Sequence, residues 1–517
     1  MSIIPLVAGR LISVIFIVAK HSFFTKESSE IKLRLILENL GSVFVKLGQI
    51  LAMRLDLLPQ KYALALWDLF DSESPIPNEE MFFIFKKETG REIKDIFEEI
   101  EEKPLAVASF GQVYKARLKG EKVVIKILKP GVETYIRADM IVLKFLALIL
   151  DSFGLLRAIT VKEIIRQLEN WLKEELDYRI EARNAEIIYE HALRKHRLAD
   201  VVVPKIYPEY AAKRVLVQEF IEGYPANKLL LALEKNPEKT RKILIEKHIN
   251  LAKIADDFLV DLMRQYFIDG FFHADPHPAN LMILPHSKIG YVDFGIVGRP
   301  EHGRIPLLKF IKAAAEQDFE SGAKNFCDFG YQVLAPDIEI LIERNERYFL
   351  IYNKIFEFIA KKLLSDIKYL LEEWYLNSGN PVLSPAKRSS AVVFFKIIRE
   401  AEKYKIKLPL EAIAFFRALA IIDMVCIKLN NNFSMPEAIK LFFARHNIRE
   451  IEKIVEEHFE EKEELIAVDY AKSAEETEEI RLKEKEKYYI LREKFQNLVA
   501  FLIEKYPELR EEIKGLM

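Results

Sequence analysis

The stretch 271–295, FFHADPHPANLMILPHSKIGYVDFG, holds side chains whose types and spacing can do chemistry: Asp275, then Asn280 five residues on, then Asp293 at the head of Asp293-Phe294-Gly295. A hard cation such as Mg²⁺ takes oxygen ligands, and Asn280 and Asp293 supply them. Asp275 can orient an attacking group. This set suits phosphoryl transfer from a nucleotide, in which the protein contributes mostly positioning and charge neutralisation. Each part alone has a plainer reading. Asp-Phe-Gly is a common turn, and His273-x-Asp275 could be a metal-ligand pair or a capped loop. The ordered pair at this spacing favours the joint reading, with apolar runs at 281–284 and 289–292 expected as the two strands of a hairpin.

Upstream elements must bring further groups to this stretch. From Glu101 the apolar period becomes strand-like, with runs at 111–118 and 122–128 around Lys119-Gly120, a hairpin signal. Lys126 lies on the second run. A Lys on a strand is often a solvated edge residue, but here it stands where protein kinases carry a phosphate-pairing lysine. Their glycine-rich phosphate loop is replaced by Ala106, Val107, Ala108 and Ser109. Helices are expected at 135–150 and 161–196. The second contains Glu175, Asp177 and Glu181, and a spacing of six residues on one helix points Glu175 and Glu181 to different faces. Residues 31–59 read as helical up to a stop at Leu57-Leu58-Pro59, and another helix is expected over 78–89. Within the former, Lys46-Leu47-Gly48-Gln49 places a glycine where it costs up to about 1 kcal/mol relative to alanine, so close approach of another backbone is expected. On sequence physics alone Lys46 is a solvated helix residue.

The composition narrows the classes. Seventy-seven basic and 79 acidic residues nearly cancel to a net charge of −2, which gives no case for a nucleic-acid partner. Cys327 and Cys426 are far apart, so neither a disulfide framework nor a zinc site is suggested. Residues 3–19 are apolar but contain Arg10 and Ser13, and no basic residue precedes them as in a secretory signal. A helix lying in the membrane interface or docked on the protein is preferred over a transmembrane span. The tail from about Ile448 reads as long charged helices that bind a partner or pack on a lobe, without a sustained heptad.

Taken together, these motifs resemble the UbiB family of atypical kinases linked to ubiquinone biosynthesis. Lys46-x-Gly48-Gln49 resembles the family's K-x-G-Q helix, 106–109 its alanine-rich nucleotide loop, and Glu175-x-Asp177 its E-x-D element. The resemblance runs on through Lys126, Glu181, Asp275, Asn280 and Asp293 to the stretch 408–433. It implies that Lys126 contacts ATP phosphates and pairs with Glu181, that Asn280 and Asp293 hold Mg²⁺, and that Asp275 takes the catalytic-loop role. It also implies that the K-x-G-Q helix folds over the site, with Lys46 and Gln49 near Glu175 and Asp177, excluding bulky protein substrates. Gln218-Glu219-Phe220 fits the hinge at which backbone groups meet adenine, so Glu219 joins the nucleotide-binding set. This chain departs from the pattern at Val107, which interrupts the alanines, and at Ala279, where the family has Gly. Its charged end, around 501–505, differs from the two membrane-spanning helices that close many bacterial members.

The expected fold is α+β and bilobal: an N-terminal helical extension over 1–100, a kinase-like N-lobe with a helical insertion over 101–222, a helical C-lobe over 223–440 and a charged helical tail over 441–517. The expected function is an Mg-ATP-dependent atypical kinase or ATPase supporting isoprenoid-quinone or related lipid metabolism, with a membrane lipid, a prenyl-quinone precursor or lipid-pathway enzymes as partners. The expected location is cytoplasmic and peripheral to a membrane. The alternative is a nucleotide-binding scaffold without turnover.

Overall fold

The computed structural model describes residues 3–53, 59–67, 69, 75–152, 158–196, 198–300, 302–342, 345–404, 406, 408–457 and 477–516. The architecture is α+β, and the chain divides into two compact units that are discontinuous in sequence. Met1–Ala226 and Ala279–Val297 form the first, Asn227–Pro278 and Gly298–Met517 the second. The stretch 271–295 is therefore shared, with Asp275 in the second unit and Asn280 and Asp293 in the first.

The first unit is built on an antiparallel sheet. Strand Gly111–Leu118 pairs along its full length with Glu121–Leu128, which pairs in turn with Val215–Glu219. The turn between the first two uses positive φ at Lys119 and Gly120. Alternation sends Val123, Ile125 and Ile127 to one face, where they pack with Met81, Ile84 and Phe85 of the helix Asn78–Thr89. Lys126 shares the opposite face with Leu128, which packs with Val132, Ile136 and Leu168. A second sheet contains the expected hairpin, Leu281–Leu284 against Lys288–Tyr291.

Three local expectations are corrected. Residues 31–53 form two helices, Ser29–Leu40 and Ser42–Met53, because Gly41 at φ 73° caps the first with its N–H on the carbonyls of Leu37 and Glu38. The expected stop at Leu57-Leu58 lies outside the described residues. Gly48 is approached by the side chains of Leu37 and Leu69 rather than by a backbone. The segment 161–196 also breaks. Helix Ala158–Glu175 ends, and the Asp177 carboxylate caps Tyr178–Tyr189 by accepting from the Arg179 N–H at 3.1 Å, so Glu175 and Glu181 lie on separate helices.

The second unit is helical among its larger described elements. Helix Leu251–Arg264, capped by Asn250, runs into a π-helical turn at Gln265–Asp269 that Gly270 ends in the left-handed region. It packs against Leu410–Leu429, with Tyr266 stacked on Phe415 at 3.8 Å. Asp423 of the latter helix is fully buried and accepts from the Ser390 N–H at 2.6 Å and its hydroxyl at 2.9 Å. In the described part of the tail, Thr477–Lys505 and Glu508–Glu512 pack on the helices Phe319–Ile342 and Arg347–Ser378.

Burial pushes the Asp423 carboxyl up from 3.8 to about 6, against the pull of its hydrogen bonds to Ser390 and Ser389. A raised acid favours the folded state when protonated, so its contribution is full below about pH 4 and is lost as pH rises through 6. Urea denaturation should find wild type losing about 3 kcal/mol relative to Asp423→Asn between pH 4 and pH 7. A difference flat with pH would show that this carboxyl titrates normally.

Candidate active site

In the first unit, register determines where the metal-type ligands emerge. Tyr291 pairs with Leu281, and one step further the Val292 N–H donates to the Asn280 carbonyl at 3.2 Å. Asn280 and Asp293 therefore leave the hairpin at the same end. Asp293 accepts from the Gly295 N–H at 3.0 Å, which folds the Asp-Phe-Gly segment into a tight turn.

Lys126 points from its sheet to this turn. It is ion-paired and hydrogen-bonded to Glu181, lies 3.5 Å from Asp293 Oδ2 and donates to the Val292 carbonyl at 3.4 Å. Lys126 and Glu181 are buried, while the Asp293 side chain is 46% exposed. Burial opposes the Lys126 charge, but Asp293 and Glu181 outweigh it and hold the ammonium above its usual range. Burial pushes Glu181 up to about 7, with Lys126 pulling down and Asp293 adding to the rise. The result is a permanent buried cation with one carboxylate partner open to solvent.

Two buried amides brace the segment that carries Asp293. Asn184, one turn after Glu181, donates to the Phe294 carbonyl at 3.0 Å, and Gln218 donates to the Val292 carbonyl at 3.0 Å. Gln218 pairs in register with Val124 and so shares a sheet face with Lys126. Glu219, one residue on, is exposed and accepts from the Lys205 N–H at 3.2 Å.

Residues 106–109 are more ordered than a loop. Ala106 and Val107 form a short strand against Val113 and Gln112, and the Ala108 N–H donates to the Gly111 carbonyl at 2.9 Å. Ser109 is buried. Gly111 has no room for a Cβ, because the Tyr178 hydroxyl and the Ile127 carbonyl occupy that space. Tyr178 is raised well above its ordinary value, by burial first and then by the charges of Glu181, Glu175 and Asp293. Lys46 is ion-paired with Glu175 and lies 5.2 Å over the Trp171 ring. The side-chain oxygen of Gln49 is buried without a hydrogen-bond partner among the described residues. Asp177 is engaged by Arg179 instead, whose Nε donates at 2.8 Å.

Asp275 belongs to the second unit, and the Arg417 guanidinium donates to its carboxylate at 2.8 Å. The Asp275 N–H donates to Nδ1 of buried His273 at 3.2 Å, and the His273 N–H donates to the Gln265 side-chain oxygen at 2.9 Å. The π-helical turn thus fixes the loop that carries Asp275. Sequence reasoning missed Arg417, Tyr178 and Asn184, and it named Gln218 only within the hinge tripeptide, not as the donor to Val292. Arg417 left a signal, a lone cation in the apolar run AIAFFRALAII. Tyr178 and Asn184 left none, being ordinary polar residues until the fold places them.

A family model described as the ABC1 atypical kinase-like domain matches residues 68–326. The chain is 33% identical over 313 residues to Protein ACTIVITY OF BC1 COMPLEX KINASE 3, chloroplastic, of Arabidopsis thaliana, covering 60% of this chain and 42% of that protein. It is 35% identical over 297 residues to a Probable protein kinase UbiB of Marinobacter nauticus, covering 56% of this chain and 51% of that protein. The chain spans about half the length of these curated relatives. Among solved structures, an Rv3197–erythromycin complex from Mycobacterium tuberculosis is 26% identical, with a TM-score of 0.37, over 56% of this chain and 70% of that one.

The Lys126–Glu181 pair makes a stability prediction. Wild-type Glu181 contributes fully below pH 4.5, and that contribution is gone above about 7, where the ionised group relies on Lys126. In Lys126→Met the buried carboxyl must stay protonated to higher pH. The penalty of the substitution should therefore grow between pH 7 and pH 8, by roughly 1.4 kcal/mol per pH unit in denaturant melts. An equal penalty at both values would uncouple the two groups.

Proposed function

This chain belongs to the ABC1 atypical kinase-like family, and from that premise we propose that it binds Mg-ATP at the Lys126–Glu181–Asp293 cluster and hydrolyses it or transfers its γ-phosphoryl group. The observation that carries this reading is the buried Lys126 ammonium, held by Glu181 and directed at the half-exposed Asp293. A cation fixed in advance stabilises developing phosphate charge without reorganising at the moment of reaction. Asn280 and Asp293 are hard oxygen donors at one end of a hairpin, a set that fits Mg²⁺. Bound there, the metal would neutralise phosphate charge and orient the leaving group.

The remaining roles belong to the chain itself. Asn184 and Gln218 hold the backbone at 292–294, so Asp293 keeps its direction. Asp275, fixed by Arg417, would accept a hydrogen bond from the attacking hydroxyl or water. Ala106, Val107, Ala108, Ser109 and Glu219 would border the nucleotide. The Lys46–Glu175 ion pair, which ties the K-x-G-Q helix to the E-x-D element, supports a regulatory role for both and for Gln49.

The lipid connection draws on the helix Ile4–Phe24, long and apolar enough to cross a membrane by length and composition. One face of it packs on the protein, where Arg10 donates to Asp139 at 3.0 Å and to the Leu40 carbonyl at 2.9 Å. The other exposes Ile12, Phe16, Phe23 and Phe24. A helix held on one side and greasy on the other suits peripheral attachment to a bilayer surface, with an isoprenoid or related lipid as the associated chemistry. A second reading, a nucleotide-binding scaffold without turnover, draws on the Tyr178 hydroxyl packed against Gly111 beside the nucleotide loop.

Mg-ATP hydrolysis by the purified protein, with and without anionic liposomes, tests the proposal. Asp293→Asn should lower turnover roughly a hundredfold. Liposomes should raise wild-type turnover, and the double variant Phe16→Ser/Phe23→Ser should lose that response while keeping basal activity. ATP binding without turnover above the Asp293→Asn background under any condition would put the scaffold reading first.

A further inference from the structure

The second unit contains a cavity of about 780 Å³ that has no part in the phosphoryl-transfer reading. It lies between the start of the helix Arg347–Ser378 and the terminal helices Thr477–Lys505 and Glu508–Glu512. Its size falls within the range of small-molecule sites. Its lining is divided by chemistry. Ile351, Phe495 and Val499 are buried and make an apolar floor, with the Tyr348 ring edge-on to Phe495 at 5.6 Å. Arg347, Arg492 and Arg510 are exposed and bring three guanidinium groups to the same cavity, against one carboxylate, Glu504.

Among the described residues, no ion pair joins any of these arginines to a carboxylate. An excess of cations over an apolar floor is the complement of a molecule with one anionic end and one aliphatic end. The walls are held in place without such a molecule. Tyr506 stacks on Tyr404 at 5.5 Å and meets Phe358 at 5.6 Å, Lys505 donates to the Lys403 carbonyl at 2.8 Å, and Lys362 pairs with Glu508 at 3.1 Å. A preformed cavity spares a ligand the cost of ordering its own site.

We propose that this cavity binds an anionic single-chain amphiphile, its aliphatic chain on Ile351, Phe495 and Val499 and its carboxylate or phosphate head at Arg347, Arg492 and Arg510. The site is independent of the nucleotide reading, and neither depends on the other.

Isothermal titration calorimetry on the full chain tests this, with tetradecanoate and tetradecyl phosphate below their aggregation limits, beside tetradecanol and inorganic phosphate. At least one anionic amphiphile should bind tenfold or more tightly than tetradecanol and inorganic phosphate, and the tighter of the two identifies the head group. Arg347→Ala/Arg510→Ala should weaken binding at least tenfold. Ala500→Trp, at an exposed position lining the cavity, should abolish it. Both variants change exposed side chains and should melt as wild type does, so loss of binding would not report unfolding. The proposal is overturned if neither anionic amphiphile binds, if tetradecanol or inorganic phosphate binds equally well, or if binding survives both variants. Binding that is lost in Phe16→Ser/Phe23→Ser but kept in the cavity variants would overturn it too, by assigning the amphiphile to the N-terminal helix.

Discussion

A buried ammonium is tolerable only with carboxylates beside it, and that constraint at Lys126 organises the first unit. Stripping water from the charge costs several kcal/mol, which Glu181 and Asp293 must offset at close range. The two partners have different exposure. Glu181 is buried against Lys126, whereas Asp293 keeps nearly half of its side chain in solvent. The cation is thus secured by one partner, which leaves the other with capacity for a ligand. A symmetric buried triad would be stable and inert.

The same economy extends to the backbone. The segment 292–294 belongs to no strand, and its carbonyls would need water if nothing else reached them. Gln218 and Lys126 reach Val292 from the sheet, and Asn184 reaches Phe294 from the helix that also carries Glu181. Two elements that supply charge therefore also supply the hydrogen bonds that keep Asp293 in register with Asn280. In the second unit Asp275 is treated likewise, by Arg417 from one helix and by the chain of His273 and Gln265 from the π-helical turn.

Much of this was legible in the sequence because the informative residues are those with strong local preferences. The strand period placed Lys126, and the apolar runs on either side of Pro285-His286-Ser287 placed the hairpin that presents Asn280 and Asp293. Breaks inside helical patterns were harder to see. Gly41 and Asp177 each end a run that apolar spacing alone would continue, and they do so through backbone capping, which leaves the hydrophobic period almost undisturbed. Long-range partners were hardest. Nothing local distinguishes Asn184 from any other amide, since its importance arises only when a distant carbonyl needs a donor.

Residues 106–109 show how a departure from a glycine-rich pattern can be accommodated. Glycine there would give conformational freedom, and this chain has instead Ala106-Val107-Ala108-Ser109. Val107 is paired with Gln112, and the Gln112 side-chain amide donates to the Ile76 carbonyl at 3.2 Å, so the strand pair is tied back to the segment before the helix Asn78–Thr89. The turn itself is closed by the Ala108 N–H on Gly111, and Gly111 is pressed by Tyr178. Held at these points, the segment has its shape set by pairing and packing. Val107 can break the run of alanines because the strand pairing with Gln112, rather than residue size, sets its position.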